Sequence, residues 1–339
     1  MTAPLQHPVR LSLWRRPVVR LSASAAILAL LVVALPFRDL VDALRRMPAW
    51  VWPLALLSYL ALHLIGIAKW RLSTNAAGAG LSFRTAARAY YAGLFGNTFL
   101  PSIVGGDVVR AGVALSATRS KSGLLLGSLV DRVGDIVSLG AVAAVGAVLS
   151  PRALDARSRA VFLSLGALLA VAGLVGLIAL TRFPVRRLPF KIRRKLVHVR
   201  RALRATARRP QALVAALALG MLLQTLLVVL NYLLGLTIGI DIPLYVWLFV
   251  WPLAKISGLA PVTQGGIGVR EAAQVVLFAP FGVPGAMALA AGLVFEAIII
   301  AGGLLGGLIA FALGRGAGPL GLRGYQRSMR MAYNPDEST

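Results

Sequence analysis

Two ten-residue stretches, PSIVGGDVVR at 101–110 and PVTQGGIGVR at 261–270, share the pattern Pro-x-x-x-Gly-Gly-x-x-x-Arg. The residue types suit anion binding. A helix that begins just after Gly105-Gly106, or after the run Gly265, Gly266, Ile267, Gly268, presents unpaired backbone N–H groups and the positive end of its dipole, while glycine lets an anion approach the main chain closely. Arg110 and Arg270 stand a turn or less into these helices, where a planar guanidinium can grip a phosphate with two parallel hydrogen bonds. The competing reading is that the glycines only permit tight helix packing, as small residues do in membranes. The doubling of the motif favours the anion site.

Other ionisable residues cluster around the same pattern. Asp107 stands in the first turn of its helix, where a carboxylate is a favoured cap, and at i, i+3 it can pair with Arg110. The two either neutralise each other or exchange, with Arg110 moving between Asp107 and a bound phosphate. Glu271 follows Arg270 directly, and neighbours on a helix do not face each other, so Glu271 is expected to pair elsewhere. In the apolar stretch after the first motif, Asp131 and Asp135 share a face at i, i+4 with Arg132 beside them. Glu296 follows the second motif in the same way, and Lys255 precedes it as a further cation. Charges at membrane depth are costly unless paired or hydrated, so they mark either a pathway and relay or salt bridges that hold a bundle together. Tyr90 and Tyr91, beside Arg88, read as interface anchors.

The elements that position these residues are membrane helices. Of 339 residues, 58% are hydrophobic and 14% charged, and the mean hydropathy of +0.80 exceeds what a soluble globular chain tolerates. The alternation of a β-barrel is absent. Without cysteine there are no disulfides or thiolate metal sites, and His7, His63 and His198 form no ligand cluster, so no metal or other cofactor is expected. The reading predicts an all-α polytopic protein with six full spans, at 18–37, 50–69, 122–149, 160–181, 211–236 and 284–314. Residues 1–17 and 315–339 are tails. The first span follows basic residues but lacks a cleavage site, so it reads as a retained anchor. Residues 85–118 and 243–279 are apolar but broken near the middle by Pro, Gly and polar residues. Each reads as two short helices around an unwound turn, a re-entrant hairpin whose irregular backbone must face protein or water.

The charge distribution orients these spans. The net charge is +25, and twelve basic residues and no acid lie between Arg182 and Arg209. That segment suits the surface of an anionic leaflet, and the flanking spans make it a poor nucleic-acid site. The positive-inside rule then places both termini, Lys69, Arg71, Arg119, Lys121 and the basic segment in the cytoplasm. Three spans separate the two hairpins. The odd number puts them on opposite faces, the arrangement of an inverted repeat. A weaker echo, SLVDR at 128–132 against GLVFE at 292–296, sets an acidic residue in the span after each hairpin.

The stretches YYAGLFGNTFLPSIVGGDVVRAGVAL and LAPVTQGGIGVREAA resemble the two signature regions of the flippase-like integral membrane family, also called the lysylphosphatidylglycerol synthase transmembrane region, over roughly residues 20–315. The resemblance implies that Asn97, Pro101, Gly105, Gly106, Asp107 and Arg110, with Pro261, Gly265, Gly266, Gly268, Arg270 and Glu271, occupy the family's shared positions. It also implies a membrane domain that moves lipids between leaflets of the bacterial cytoplasmic membrane. Synthases of this name carry a soluble aminoacyltransferase domain after the membrane part, whereas here about 25 residues follow the last span. Synthesis is therefore not expected of this chain.

The leading expectation is a flippase for an anionic lipid such as a phospholipid, an aminoacyl-phosphatidylglycerol or a polyprenyl-phosphate-linked lipid. Membrane lipids are its expected partners, and a lipid-synthesising enzyme is a candidate one. No Gly-x-x-x-x-Gly-Lys-Ser/Thr loop is present, so any energy input comes from an ion gradient or the lipid's own, with Asp107, Asp131, Asp135 and Glu296 as proton carriers. The alternatives are a membrane-embedded transferase acting on a lipid phosphate, with Asp107 and Asp131 as acid and base, and an ion-coupled transporter of a small soluble anion.

Overall fold

The computed structural model describes residues 17–99, 105–149, 207–258, 263 and 265–315, with 197, 200 and 204 besides. Within them the regular elements are ten α-helices and a short 3₁₀ turn, with no strand. The helices are α1 (Pro17–Ala34), α2 (Phe37–Arg46), α3 (Val51–Ala76), α4 (Phe83–Phe99), α5 (Gly105–Leu115), α6 (Lys121–Leu149), α7 (Pro210–Thr237), α8 (Leu244–Ser257), α9 (Val269–Phe278) and α10 (Gly285–Arg315). Four of them, α3, α6, α7 and α10, are long and apolar enough to cross a membrane. A fifth candidate is the pair α1 and α2, bent by 98°.

This amends the six expected spans in two places. The span at 160–181 lies outside the described residues, as do nearly all of the basic segment 182–209 and both prolines of the repeated motif, Pro101 and Pro261. The first span ends early, because Pro36 cannot continue a helix and stands as the N-cap of α2. The sequence FRDLVDALRR is amphipathic. Leu40 and Ala43 face inward, and Asp39 is in the first turn and Arg45 and Arg46 in the last, each matching the helix dipole.

The turn after α3 shows how the sequence closes a helix. Asn75 accepts the Leu81 N–H at 2.7 Å and donates to the Leu81 carbonyl at 3.0 Å, while Gly78 and Gly80 adopt φ of 94° and 68°. The helix runs seven residues beyond the expected boundary at 69. As a result Lys69 does not reach a surface loop and is only 3% exposed. At the start of α6, Ser120 Oγ accepts the Gly123 N–H at 3.0 Å.

Each expected hairpin region holds two helices, α4 and α5 in the first and α8 and α9 in the second, with 100–104 and most of 259–264 outside the described residues. Their packing is reciprocal. The first helix of the first pair, α4, packs on α10, the long helix after the second pair. The first helix of the second pair, α8, packs on α6, the long helix after the first pair. The second helix of each pair, α5 or α9, packs on the long helix that follows it. Small residues bring these backbones together. A Cβ on Gly146 of α6 would lie 2.4 Å from the Phe249 N of α8, and one on Gly303 of α10 would lie 2.1 Å from the Thr98 Oγ1 of α4.

Apolar burial forms two clusters. The larger gathers Trp247, Val250, Phe278, Leu234, Leu289 and Phe295, and the smaller Ile67, Trp70, Leu81, Ala86 and Leu124.

Candidate functional site

The charged residues of the repeated motif meet around one cavity of about 220 Å³. Arg110, Arg132, Lys255 and Arg270 line it together with Asp107 and Asp135. The two motifs, 160 residues apart, therefore reach the same hollow. Asn97 and Gly106 also border it, whereas Gly265, Gly266 and Gly268 do not.

Around Arg110 the groups form an interlocked ion network. Asp107, one turn earlier on α5, takes the Arg110 guanidinium at 2.9 Å and also pairs with Arg132 of α6. Asp131 of α6 stands 3.5 Å from the Arg110 Nη2 and 2.8 Å from the Lys69 Nζ. Lys69 in turn holds Asp135 at 2.7 Å. The i, i+4 spacing of Asp131 and Asp135 thus presents both carboxylates to one ammonium from α3. The Arg110 guanidinium also lies over two aromatic rings, 4.8 Å from the Trp70 centroid and 5.4 Å from that of Tyr90.

Around Arg270 the set is smaller. Its guanidinium pairs with Glu271 at 3.0 Å and with Glu296 of α10. Each motif arginine therefore holds a carboxylate of its own helix and one from the long helix that follows. The Arg270–Glu271 contact corrects the expectation that adjacent helical residues cannot meet. Glu271 is the third residue of α9 and turns its carboxylate back to the helix start, accepting the Gly268 N–H at 2.6 Å. There the flexible arginine chain reaches it.

Lys255 differs from the other cavity cations. Among the described residues no carboxylate lies within 4.0 Å of it. Its Nζ donates to Gln224 Oε1 at 3.0 Å and sits 4.8 Å above the Trp251 ring. Gln224, only 3% exposed, donates onward to Asp135 at 3.5 Å, linking Lys255 to the Lys69 network through a neutral amide.

The expectation of bare main-chain amides is corrected at two positions. The Gly106 N–H is bonded to Asn97 Oδ1 at 3.1 Å, and the Gly268 N–H to Glu271. A buried N–H must find a partner, and a side chain of the fold supplies it in both places. The charged side chains on the cavity lining are Arg110, Arg132, Lys255 and Arg270 with Asp107 and Asp135.

The glycines separate into two kinds. Gly106 is helical and makes room: a Cβ there would lie 2.3 Å from the Gly93 carbonyl. Gly265, Gly266 and Gly268 have φ of 62°, 84° and 88°, a backbone that glycine adopts without the cost of a Cβ.

Sequence reasoning placed Lys69 at the cytoplasmic end of a span, and the structure places it at the centre of the network. Gln224, Tyr59, His63 and Trp251 were not singled out, and Tyr90, read as an interface anchor, lines the cavity. A signal for Lys69 and Gln224 was present, since each is a polar residue facing inward on a long apolar helix. Among the described residues no group of three or more His, Asp or Glu side chains is placed to hold a metal ion.

Comparison with curated proteins finds no match. The family described as "Lysylphosphatidylglycerol synthase TM region" matches residues 18–307, which takes in both arginine motifs, every cavity helix and the reciprocal packing between them. On that match, and with an apolar helical architecture able to span a bilayer, the chain belongs to the lysylphosphatidylglycerol synthase TM region family.

Proposed function

We propose that the chain moves lipids with an anionic, phosphate-bearing headgroup from one leaflet to the other. The observation that carries this reading is the meeting of Arg110, Arg132, Arg270 and Lys255 on one small hollow, among helices that expose large apolar side chains such as Leu57, Leu129, Val214 and Leu308. On the cavity lining these four cations stand against two carboxylates, Asp107 and Asp135. Burying an isolated phosphate in hydrocarbon would cost on the order of tens of kcal/mol on a Born basis, and paired cations offset most of it. The volume is below the roughly 300–1,000 Å³ of a site that encloses a drug-sized ligand, so the cavity takes a headgroup while the acyl chains stay in lipid.

In this reading α4 with α5 and α8 with α9 are re-entrant pairs from opposite faces of the bacterial cytoplasmic membrane, with both chain termini cytoplasmic. Their reciprocal packing on α10 and α6 supports an inverted repeat. Lys255 makes first contact with the phosphate, because no carboxylate has to be displaced. Arg110 and Arg270 then exchange a carboxylate for phosphate oxygens. The released Asp107, Asp131 or Glu296 can take up a proton, as can Asp135 beside them on Lys69, which couples movement to an ion gradient, and without such coupling the lipid follows its own gradient. The activity is translocation rather than synthesis, and an enzyme that makes the lipid is the natural partner.

The test is reconstitution of the full chain into liposomes with labelled anionic lipids, reading leaflet accessibility. Native protein should exceed empty vesicles, and Arg110→Ala and Arg270→Ala should each lose at least about tenfold in rate, the loss of one charged contact. No movement above empty vesicles across a broad lipid panel would end this reading. Full rates for Arg110→Lys and Arg270→Lys would show that the two-pronged hold on phosphate is wrong even where movement persists.

A further inference from the structure

The cavity also has an aromatic face that the phosphate grip does not use. Tyr59, His63, Tyr90, Trp251 and Phe295 line it. The Tyr59 ring meets His63 edge-on at 4.5 Å and Phe295 at 6.3 Å, and Trp251 meets Phe295 edge-on at 5.5 Å. The Tyr90 hydroxyl occupies a notch left by Gly66, where a Cβ would lie 2.2 Å from it, and it sits 3.3 Å from His63 Nδ1.

Two polar groups on this face have unused hydrogen-bonding capacity. Tyr59 is 6% exposed, and its hydroxyl has no hydrogen-bond partner among the described residues. His63 is 7% exposed, and its Nε2 has none either. Buried polar groups are nearly always satisfied, so the orphaned His63 Nε2, with the Tyr59 hydroxyl beside the same cavity, points to a ligand that completes it.

The chemistry of that ligand is bounded by what the rings already hold. The Lys255 ammonium covers Trp251, and the Arg110 guanidinium lies over Tyr90. These two ring faces, which would attract an ammonium, are taken by the protein's own cations, and a second cation in the cavity would meet like charge. Hydroxyl groups suit Tyr59 and the orphaned His63, and the C–H faces of a polyol suit the remaining aromatic surface.

We propose that this face selects the rest of the headgroup: a phosphate ester that carries hydroxyls and no ammonium, with Tyr59 and His63 bonding the hydroxyls. The inference rests on the translocation reading and specifies its substrate class.

The experiment compares lipids with identical acyl chains in proteoliposomes of the full chain: phosphatidylinositol and phosphatidylglycerol, which carry hydroxyls; phosphatidic acid, a bare phosphate; and phosphatidylethanolamine, which carries an ammonium. The hydroxylated lipids should move about three- to tenfold faster than phosphatidic acid, the worth of one neutral hydrogen bond, and phosphatidylethanolamine should move slowest. Tyr59→Phe should bring the ratio of phosphatidylinositol to phosphatidic acid rates close to one. Equal rates for all four lipids, or a Tyr59→Phe variant that keeps the native ratio, overturn the proposal.

Calorimetry on the detergent-solubilised protein, with inositol phosphate, glycerol 3-phosphate and inorganic phosphate, separates this inference from the reading beneath it. If no lipid moves, translocation falls. Tighter binding of the esters than of inorganic phosphate would then uphold the selectivity with a free ester as its source, and equal binding would overturn it.

Discussion

Arg110 is one of three cations that share three carboxylates across α3, α5 and α6, whereas among the described residues Arg270 alone holds Glu271 and Glu296. The spacing that leads to each arginine is the same, yet the two surroundings differ in redundancy. Removing Arg110 leaves every carboxylate of the first network another cation, since Asp131 and Asp135 keep Lys69 and Asp107 keeps Arg132. Removing Arg270 leaves two carboxylates, 0% and 12% exposed, with no ion-pair cation among the described residues. The glycines differ in the same spirit. Gly106 creates space between α4 and α5, Gly265 permits a left-handed backbone in open surroundings, and Gly266 does both, since a Cβ there would lie 2.6 Å from the Gly258 carbonyl. A repeated motif thus preserves the position of a charge while the physical means of holding it diverge.

The largest expected effect sets the two arginines against each other. Arg270→Ala should destabilise the folded protein by about 3–5 kcal/mol, the cost of stripping a buried pair of its partner. Arg110→Ala should cost no more than about half of that, because Lys69 and Arg132 remain. Chemical or thermal unfolding of the two variants in the same detergent reads the difference, and equal losses would remove the redundancy argument.

Next come the glycines. Gly106→Ala should cost about 1–3 kcal/mol by forcing α4 and α5 apart. Gly265→Ala, whose Cβ would meet nothing within 4 Å, should cost only the left-handed backbone term of about 1 kcal/mol. A greater loss at Gly265 than at Gly106, in the same unfolding assay, would reverse the assignment of space to Gly106 and dihedral freedom to Gly265.

Lys255 tests the ground between the halves. With no carboxylate to orphan, Lys255→Met should leave unfolding within about 0.5 kcal/mol of native and slow labelled-lipid movement by about tenfold. Loss of fold together with rate would mean that this lysine is structural. The smallest effect belongs to the amide cap peculiar to the first half. Asn97→Ala should cost about 1 kcal/mol through the lost bond to Gly106, and hydrogen exchange at the start of α5 should rise. Unchanged protection there would assign the cap to another group.

Much of the site was legible because its carriers are charges in apolar sequence, which few other roles explain. Asp131, Asp135, Glu296 and Lys255 stand out in that way, and the paired motif marks Arg110 and Arg270. Lys69 was misplaced because hydropathy alone set the span's end at 69, while the Asn75 turn carries α3 on to Ala76. Tyr59, His63 and Tyr90 gave no signal, since aromatic residues on a membrane helix are ordinary in a packed core or at an interface. The Arg270–Glu271 contact was missed because helix-face geometry holds for side chains in mid-helix and fails in the first turn, where a carboxylate bends back to a free N–H.

From residue order alone came the helical class, the membrane setting, two broken elements and the arginines that recur in them, because hydrophobic period, glycine and proline act locally along the chain. Which carboxylate each arginine holds, which amides are capped and which aromatic rings border the hollow were decided by tertiary packing. Those outcomes depend on approaches of a few ångströms between helices far apart in sequence, where satisfying a buried charge outweighs any local preference.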